Sequence, residues 1–196
     1  MGGCGSKTAA KAARPETDAP ASPAPEYDAP TAIHAACNAN DSEALGEALR
    51  KAGTREATNQ AFMTDSGGDT ALAVAIRGGA EDCVAVLLAA APEGTGGGAG
   101  SVLSEGTVKR LVQLARPGTG DTPLHVCARS AANVPVSVCC RIVKQLVAAG
   151  AELGKKNAFG NVARDVVPPK PVEGEASDLK DVLFDETGEI RVHKAA

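Results

Sequence analysis

Gly120-Asp121-Thr122-Pro123-Leu124-His125 leads through Val126-Cys127 to a second apolar run, Ile142-Val143-Lys144-Gln145-Leu146-Val147-Ala148-Ala149-Gly150-Ala151. The same opening stands twice upstream, as Thr31-Ala32-Ile33-His34-Ala35-Ala36 and as Thr70-Ala71-Leu72-Ala73-Val74-Ala75, each followed by a second apolar helix. For the middle copy that helix is Cys83-Val84-Ala85-Val86-Leu87-Leu88, downstream of Gly68-Asp69-Thr70. Self-similarity of this kind means that one helical unit is used several times, each burying its apolar face against its neighbours. In the first copy Asn40 replaces the glycine between the two helices, and asparagine is the next best residue at a left-handed position. A fourth, degraded opening reads Gly160-Asn161-Val162-Ala163-Arg164-Asp165-Val166. Its second helix is predicted over Ser177 to Phe184, with Ser177 as N-cap and Leu179, Val182 and Leu183 on one face.

Composition limits what this unit can be built from. Aromatic residues make up 2% of the 196 positions: Tyr27, Phe62, Phe159 and Phe184, with no tryptophan. A core must then come from Ala, Val and Leu, which favours close helix packing. With a net charge of −4 and few aromatics, the chain has neither the electrostatic footprint nor the stacking platforms of a nucleic-acid binder. Cys37, Cys83, Cys127, Cys139 and Cys140 fall in apolar, helix-like segments rather than in loop-rich disulfide spacing, and are read as reduced and intracellular.

The three openings resemble the ankyrin repeat, whose signature contains Thr-Pro-Leu-His-x-Ala. The resemblance covers residues 30 to 168, and with the degraded copy reaches about 185. It implies an all-α fold, an ankyrin-repeat solenoid of three to four helix pairs with irregular insertions. Thr31, Thr70, Thr122 and Val162 are 39, 52 and 40 residues apart. Against a 33-residue period this means insertions of about 6, 19 and 7 residues, the largest putting regular stacking at the second junction in question. That insertion, about 93 to 117, holds Gly94-Thr95-Gly96-Gly97-Gly98-Ala99-Gly100 and then a predicted extra helix from near Ser104, with Val108, Leu111, Val112 and Ala115 on one stripe. Residues 169 to 196 are read as a capping helix and tail.

At the other end, Met1-Gly2-Gly3-Cys4-Gly5-Ser6 carries the acceptor-glycine pattern of N-myristoylation, with Cys4 placed for palmitoylation. One myristoyl chain gives only marginal, reversible attachment, so a second chain or a polybasic patch is needed. Lys7, Lys11 and Arg14 are offset by Glu16, Asp18, Glu26 and Asp28, which leaves the second anchor to Cys4. Residues 1 to 29 are then an acylated, disordered linker, with Pro15, Pro20, Pro23, Pro25 and Pro30 preventing a continuous helix. In an extended polyproline form it reaches roughly 70 Å. No apolar signal region is visible, and the longest apolar stretch, Cys83 to Ala91, is far shorter than the roughly 20 residues of a span.

No catalytic constellation emerges. Gly94 to Ala99 matches a loose dinucleotide pattern, but it follows Pro92 at a helix end rather than a strand, and no Gly-Lys-Ser/Thr follows. His34 with Cys37, and His125 with Cys127, Cys139 and Cys140, lack zinc-ligand spacing, and no metal or other cofactor is expected. The resemblance implies instead that both imidazoles hydrogen-bond locally at the turn into the first helix. The cysteines lack the electropositive, accessible setting of a nucleophile and are read as core. Asp181, Asp185, Glu186 and Glu189 form no calcium loop.

The function expected is that of a membrane-tethered protein-protein interaction module, an adaptor or scaffold, at the cytoplasmic face of a plasma, flagellar or ciliary membrane, with no small-molecule substrate. The alternative is a soluble ankyrin-repeat regulator or inhibitor of a protein partner, not acylated. By alignment with the family, Asn38, Arg77, Arg129 and Ser130 are the exposed binding positions, with fingertips at Asp65 to Asp69 and Gly118 to Asp121. Arg129→Ala is expected to leave the melting curve nearly unchanged and to affect only partner binding.

Overall fold

The computed structural model describes residues 1, 31–91, 102–169 and 176–183. Gly2, Cys4, the rest of the linker to Pro30, the Gly94 to Gly100 stretch, and Phe184, Asp185, Glu186 and Glu189 lie outside them. The described chain is all-helical apart from one two-residue strand pair. Its elements are α1 (Ala32–Ala39), α2 (Ser42–Phe62), α3 (Ala71–Gly78), α4 (Glu81–Leu88), β1 (Ala90–Ala91), β2 (Leu103–Ser104), α5 (Glu105–Gln113), α6 (Pro123–Ser130), α7 (Val136–Ala148), a 3-10 turn (Ala163–Val166) and α8 (Ala176–Val182).

Short side chains and local caps explain the elements. Thr31 Oγ1 accepts the His34 N–H, Asp41 Oδ1 the Ala44 N–H and Thr70 Oγ1 the Ala73 N–H, each satisfying an amide that has no partner inside the helix. Asn40 ends α1 at φ 55° and Gly79 ends α3 at φ 69°, so asparagine does occupy the left-handed turn predicted for it. In α3 every residue from Ala71 to Ile76 is buried, a helix apolar all round because it is covered on several sides.

Packing runs in two rows. In one, α1 packs on α3, α3 on α6, and α6 on the 3-10 turn; in the other, α2 packs on α4, α4 on α7, and α7 on α8. The 52-residue spacing leaves the second junction intact, since α3 meets α6 directly. β1 and β2 pair in parallel, Ala90 with Leu103 and Ala91 with Ser104, which brings the two ends of the insertion together.

The insertions are structured. In the first, of about six residues, the chain bends at Gly53 (φ 72°, ψ 168°) and continues as helix to Phe62, with Ala57 and Ala61 buried. The extra helix after Ser104 forms, capped by the Ser104 hydroxyl and burying Val108, Leu111 and Val112, but it stops at Gln113. Ala115 is therefore beyond it, and exposed. This helix, α5, acts as a clamp. Its Arg110 lies 5.2 Å over the Phe62 ring, while Gln113 Nε2 donates to Glu152 Oε1 at 3.1 Å and the Gln113 carbonyl accepts from Lys155 Nζ at 2.8 Å. The last helix begins at Ala176, so Ser177 lies inside it and is not the N-cap; Leu179 and Leu183 are buried and Val182 half-buried.

Leu124 is 1% exposed within this core. Leu124→Asp places an unpaired carboxylate in an apolar contact and is expected to cost several kcal/mol, about 3 or more, with loss of helix signal beyond α6. Thermal unfolding by circular dichroism checks it; a variant that melts like the parent contradicts the packing of α6.

Candidate binding surface

A hairpin precedes each of α3, α6 and the 3-10 turn, on similar backbone schemes, with the middle hairpin one residue longer than the other two. Asp65 N–H donates to the Asp69 carbonyl at 2.9 Å, Arg116 N–H to that of Asp121 at 2.8 Å, and Asn157 N–H to that of Asn161 at 2.9 Å. Each turn closes with a glycine at positive φ: Gly68, Gly120 and Gly160. At Gly120 the requirement is double, because a Cβ there would lie 2.7 Å from the backbone nitrogen of Ala158. The tips are open: Ser66, Gly67, Pro117, Gly118 and Phe159 are exposed, Phe159 at 68%.

The feet of the hairpins are buried and polar. His34 and His125 sit three residues after their threonines, with Nδ1 at 2.8 Å from Thr31 Oγ1 and Thr122 Oγ1 respectively. The Thr122 N–H donates to Nδ1 of His125, which fixes Nε2 as the protonated nitrogen, and Nε2 donates to the Asn161 carbonyl at 2.9 Å. His34 Nε2 lies 3.3 Å from the Asp69 carbonyl. The local role predicted for both imidazoles is therefore present, and each also ties its helix to the following hairpin. The middle copy has Ala73 at this position.

Beside these bridges lie two buried carboxylates. Asp121 accepts from Arg129 Nη2 at 2.8 and 3.0 Å and from Asn157 Nδ2 at 2.8 Å. Burial pushes the Asp121 carboxyl up, but the hydrogen bonds from Asn157, Arg129 and Thr119 and the Arg129 charge outweigh it and hold the group below its ordinary range. Asp69 is paired with Arg77 and, at 3.2 Å, with Arg116 Nε.

Several expected surface positions change character in this setting. Asn38 is exposed, as predicted. Arg77 and Arg129 are each about half exposed, at 52% of the side chain, yet their guanidiniums are held by buried carboxylates. Arg129 is thus structural as well as accessible, which corrects the expectation that its loss would go unnoticed. Ser130 is buried, its hydroxyl donating to the Val126 carbonyl at 2.8 Å, and is removed from the binding set. Asp69 and Asp121 close the two fingertips from below rather than presenting them. A third fingertip, Asn157 to Gly160, was missed. The parallel between Asp65-x-x-Gly68 and Asn157-x-x-Gly160 is its signal: Asp65 Oδ1 accepts the N–H groups of Gly67 and Asp69, and Asn157 Oδ1 those of Phe159 and Asn161.

The thiols lie in the packing. Cys37, Cys83, Cys127 and Cys139 are buried and Cys140 half-buried, all five without disulfides. Burial, with Cys83 nearby, pushes the Cys37 thiol up to about 12, and burial likewise raises Cys83 and Cys140. Among the described residues no three His, Cys, Asp or Glu side chains converge, and no helix is long and apolar enough to cross a membrane. Neither a family model nor a curated protein matches the chain.

Two outcomes follow for the Asp121 foot. Arg129→Ala leaves a buried carboxylate with fewer donors and is expected to cost about 1 kcal/mol, the low end of the range because Arg129 is half in solvent. Since the folded-state carboxyl is held below its ordinary value of 3.8, its contribution is complete above that pH and is lost as pH falls through the depressed folded value. Melting temperatures should therefore fall more steeply on acidification in the parent than in Asp121→Asn. Parallel acid limbs would mean that this carboxylate gains nothing from its partners.

Proposed function

We propose that this chain is an ankyrin-repeat protein that binds another protein through its hairpin tips and the exposed ends of its first-row helices. The observation that carries the reading is the succession of three equivalent hairpins, each with a left-handed glycine and, at the first and third junctions, a Thr-His pair bridging to the next hairpin carbonyl. Stacked units of this kind offer an extended surface without a catalytic cleft. Binding rather than catalysis is the proposed role, because the polar groups brought together here are consumed in holding hairpins in place. Among the described residues Phe159 supplies the exposed aromatic anchor that suits an interface.

Attachment to a membrane belongs to the same proposal. Gly2 and Cys4 form a dual acylation site, which would put the surface at a cytoplasmic membrane face at the end of a linker of about 30 residues. Gly2→Ala should move the protein from the membrane pellet to the supernatant, whereas Cys4→Ser should leave it distributed between the two. A Gly2→Ala variant that sediments with membranes as the parent does would remove the anchor. Independently, Phe159→Ala should leave the melting curve within about 0.5 kcal/mol of the parent while lowering the yield of partner cross-linked on native membranes. Unchanged cross-linking on replacing both Phe159 and Asn38 would remove the surface.

A further inference from the structure

Two guanidiniums share a single carboxylate at the first hairpin. Arg77 and Arg116 both pair with Asp69, whose side chain is 2% exposed, so two cations share one buried carboxylate; the neighbouring Asp65 carboxylate lies across Gly67 from Arg116 and is engaged by the Gly67 and Asp69 N–H groups. Asp69 Oδ1 takes the Arg116 charge at 3.2 Å but accepts no hydrogen bond. Arg116 also donates through Nη2 to the Gly67 carbonyl. These contacts use only part of the five donors on each guanidinium; Arg77 is held at one point and Arg116 at two, which lowers the entropy lost when a further carboxylate binds. At 52% and 34% exposure both side chains are within reach of solvent.

The polypeptide enters the described fold beside this cluster. Thr31 Oγ1 is 2.8 Å from His34 Nδ1, and His34 Nε2 is 3.3 Å from the Asp69 carbonyl, so residue 31 stands one imidazole away from Asp69. Immediately before it is Pro25-Glu26-Tyr27-Asp28-Ala29-Pro30, and ten residues earlier the pattern is repeated as Pro15-Glu16-Thr17-Asp18-Ala19-Pro20. Asp28 and Glu26 precede Thr31 by three and five residues, a reach of roughly 10 and 17 Å for extended chain. Both can come to the guanidiniums from that tether point.

We propose that Pro25 to Pro30 of this same chain docks on the Arg77–Asp69–Arg116 cluster, with the Glu26 and Asp28 carboxylates accepting from the two guanidiniums. The upstream copy carries the same chemistry on a longer tether, hence at lower effective concentration. Docking covers the first fingertip in cis and does not depend on acylation.

A fluorescein-labelled peptide of residues 24 to 31 tests this on the purified, non-acylated full chain. In the parent the linker should compete with the peptide. In a variant carrying Glu16→Gln, Asp18→Asn, Glu26→Gln and Asp28→Asn the cluster is vacated, and anisotropy titration should show binding tighter by about tenfold, given a peptide affinity of ~0.1 mM and an effective concentration of ~1 mM. The same peptide with Gln and Asn at the two acidic positions should bind neither chain. Arg116→Gln in the vacated background should abolish binding with an unchanged circular dichroism spectrum; should that variant unfold, the neutral peptide decides alone. Equal binding to parent and vacated chain, binding to neither, or equal binding of acidic and neutral peptides would each overturn the proposal.

Discussion

Asp69 and Asp121 are buried at the feet of the hairpins against a largely aliphatic stack, and a carboxylate persists there only when its lost hydration is replaced by charge and hydrogen bonds. Here the replacement comes from two directions. An arginine eight residues on, Arg77 or Arg129, reaches back along its own helix, and a donor from the following hairpin, Arg116 or Asn157, reaches across. Because one partner belongs to the next hairpin, the carboxylate fixes the register of neighbouring pairs as well as its own turn. Dispersion among small side chains can be satisfied at several offsets; Arg129 Nη2 donating to both oxygens of Asp121, with Asn157 Nδ2 on the same carboxylate, cannot.

That register is shared between apolar interlocking and directional contacts. Ala36, Ala57, Ala61, Ala71, Ala75, Ala80, Ala128 and Ala131 are buried, and among the described residues no Phe or Tyr ring is fully buried. Alanine contacts allow close approach but offer shallow grooves, so they discriminate weakly between neighbouring offsets. The imidazole bridges of His34 and His125 and the aspartate feet add directionality to the packing of Leu45, Leu72, Leu87, Leu124 and Ile142. The middle copy, where Ala73 replaces the histidine, is also the one whose insertion adds β1, β2 and α5. There Arg110 against Phe62, and Gln113 and Lys155 across the next loop, join neighbouring units from outside the two rows.

Much of the fold was legible because its signals are local. Threonine before an apolar helix, Asn40 at a left-handed turn and a self-similar opening each depend on a few adjacent residues, and α1, α3, α4, α6 and α7 stand where those signals put them. What was not legible depends on partners distant in sequence. Ser130 reads as a polar residue late in a helix, and its burial is decided by the packing around it together with the Val126 carbonyl. Arg129 reads as solvated, and only the fold brings Asn157 to the same carboxylate. The helix after Gly53 carries no self-similar opening; a single residue at φ 72° bends the chain, and Ala57 and Ala61 pack beyond it through partners distant in sequence.

The same distinction separates stability from recognition on the surface. Arg77, Arg116 and Arg129 each have one end committed to a buried carboxylate or a hairpin carbonyl and another open to solvent, so substitution reads out both roles together. Phe159 is different. It lies at a tip closed by Asn157 and Gly160, its ring contributes little to the core, and 68% of it faces water. An apolar ring held out on a turn that is itself fixed by its own hydrogen bonds has a cost in solvent and no return within the chain. A binding role is thus separable from folding at Phe159, while at the arginines it is not, and the division follows from where the hairpin feet place their carboxylates.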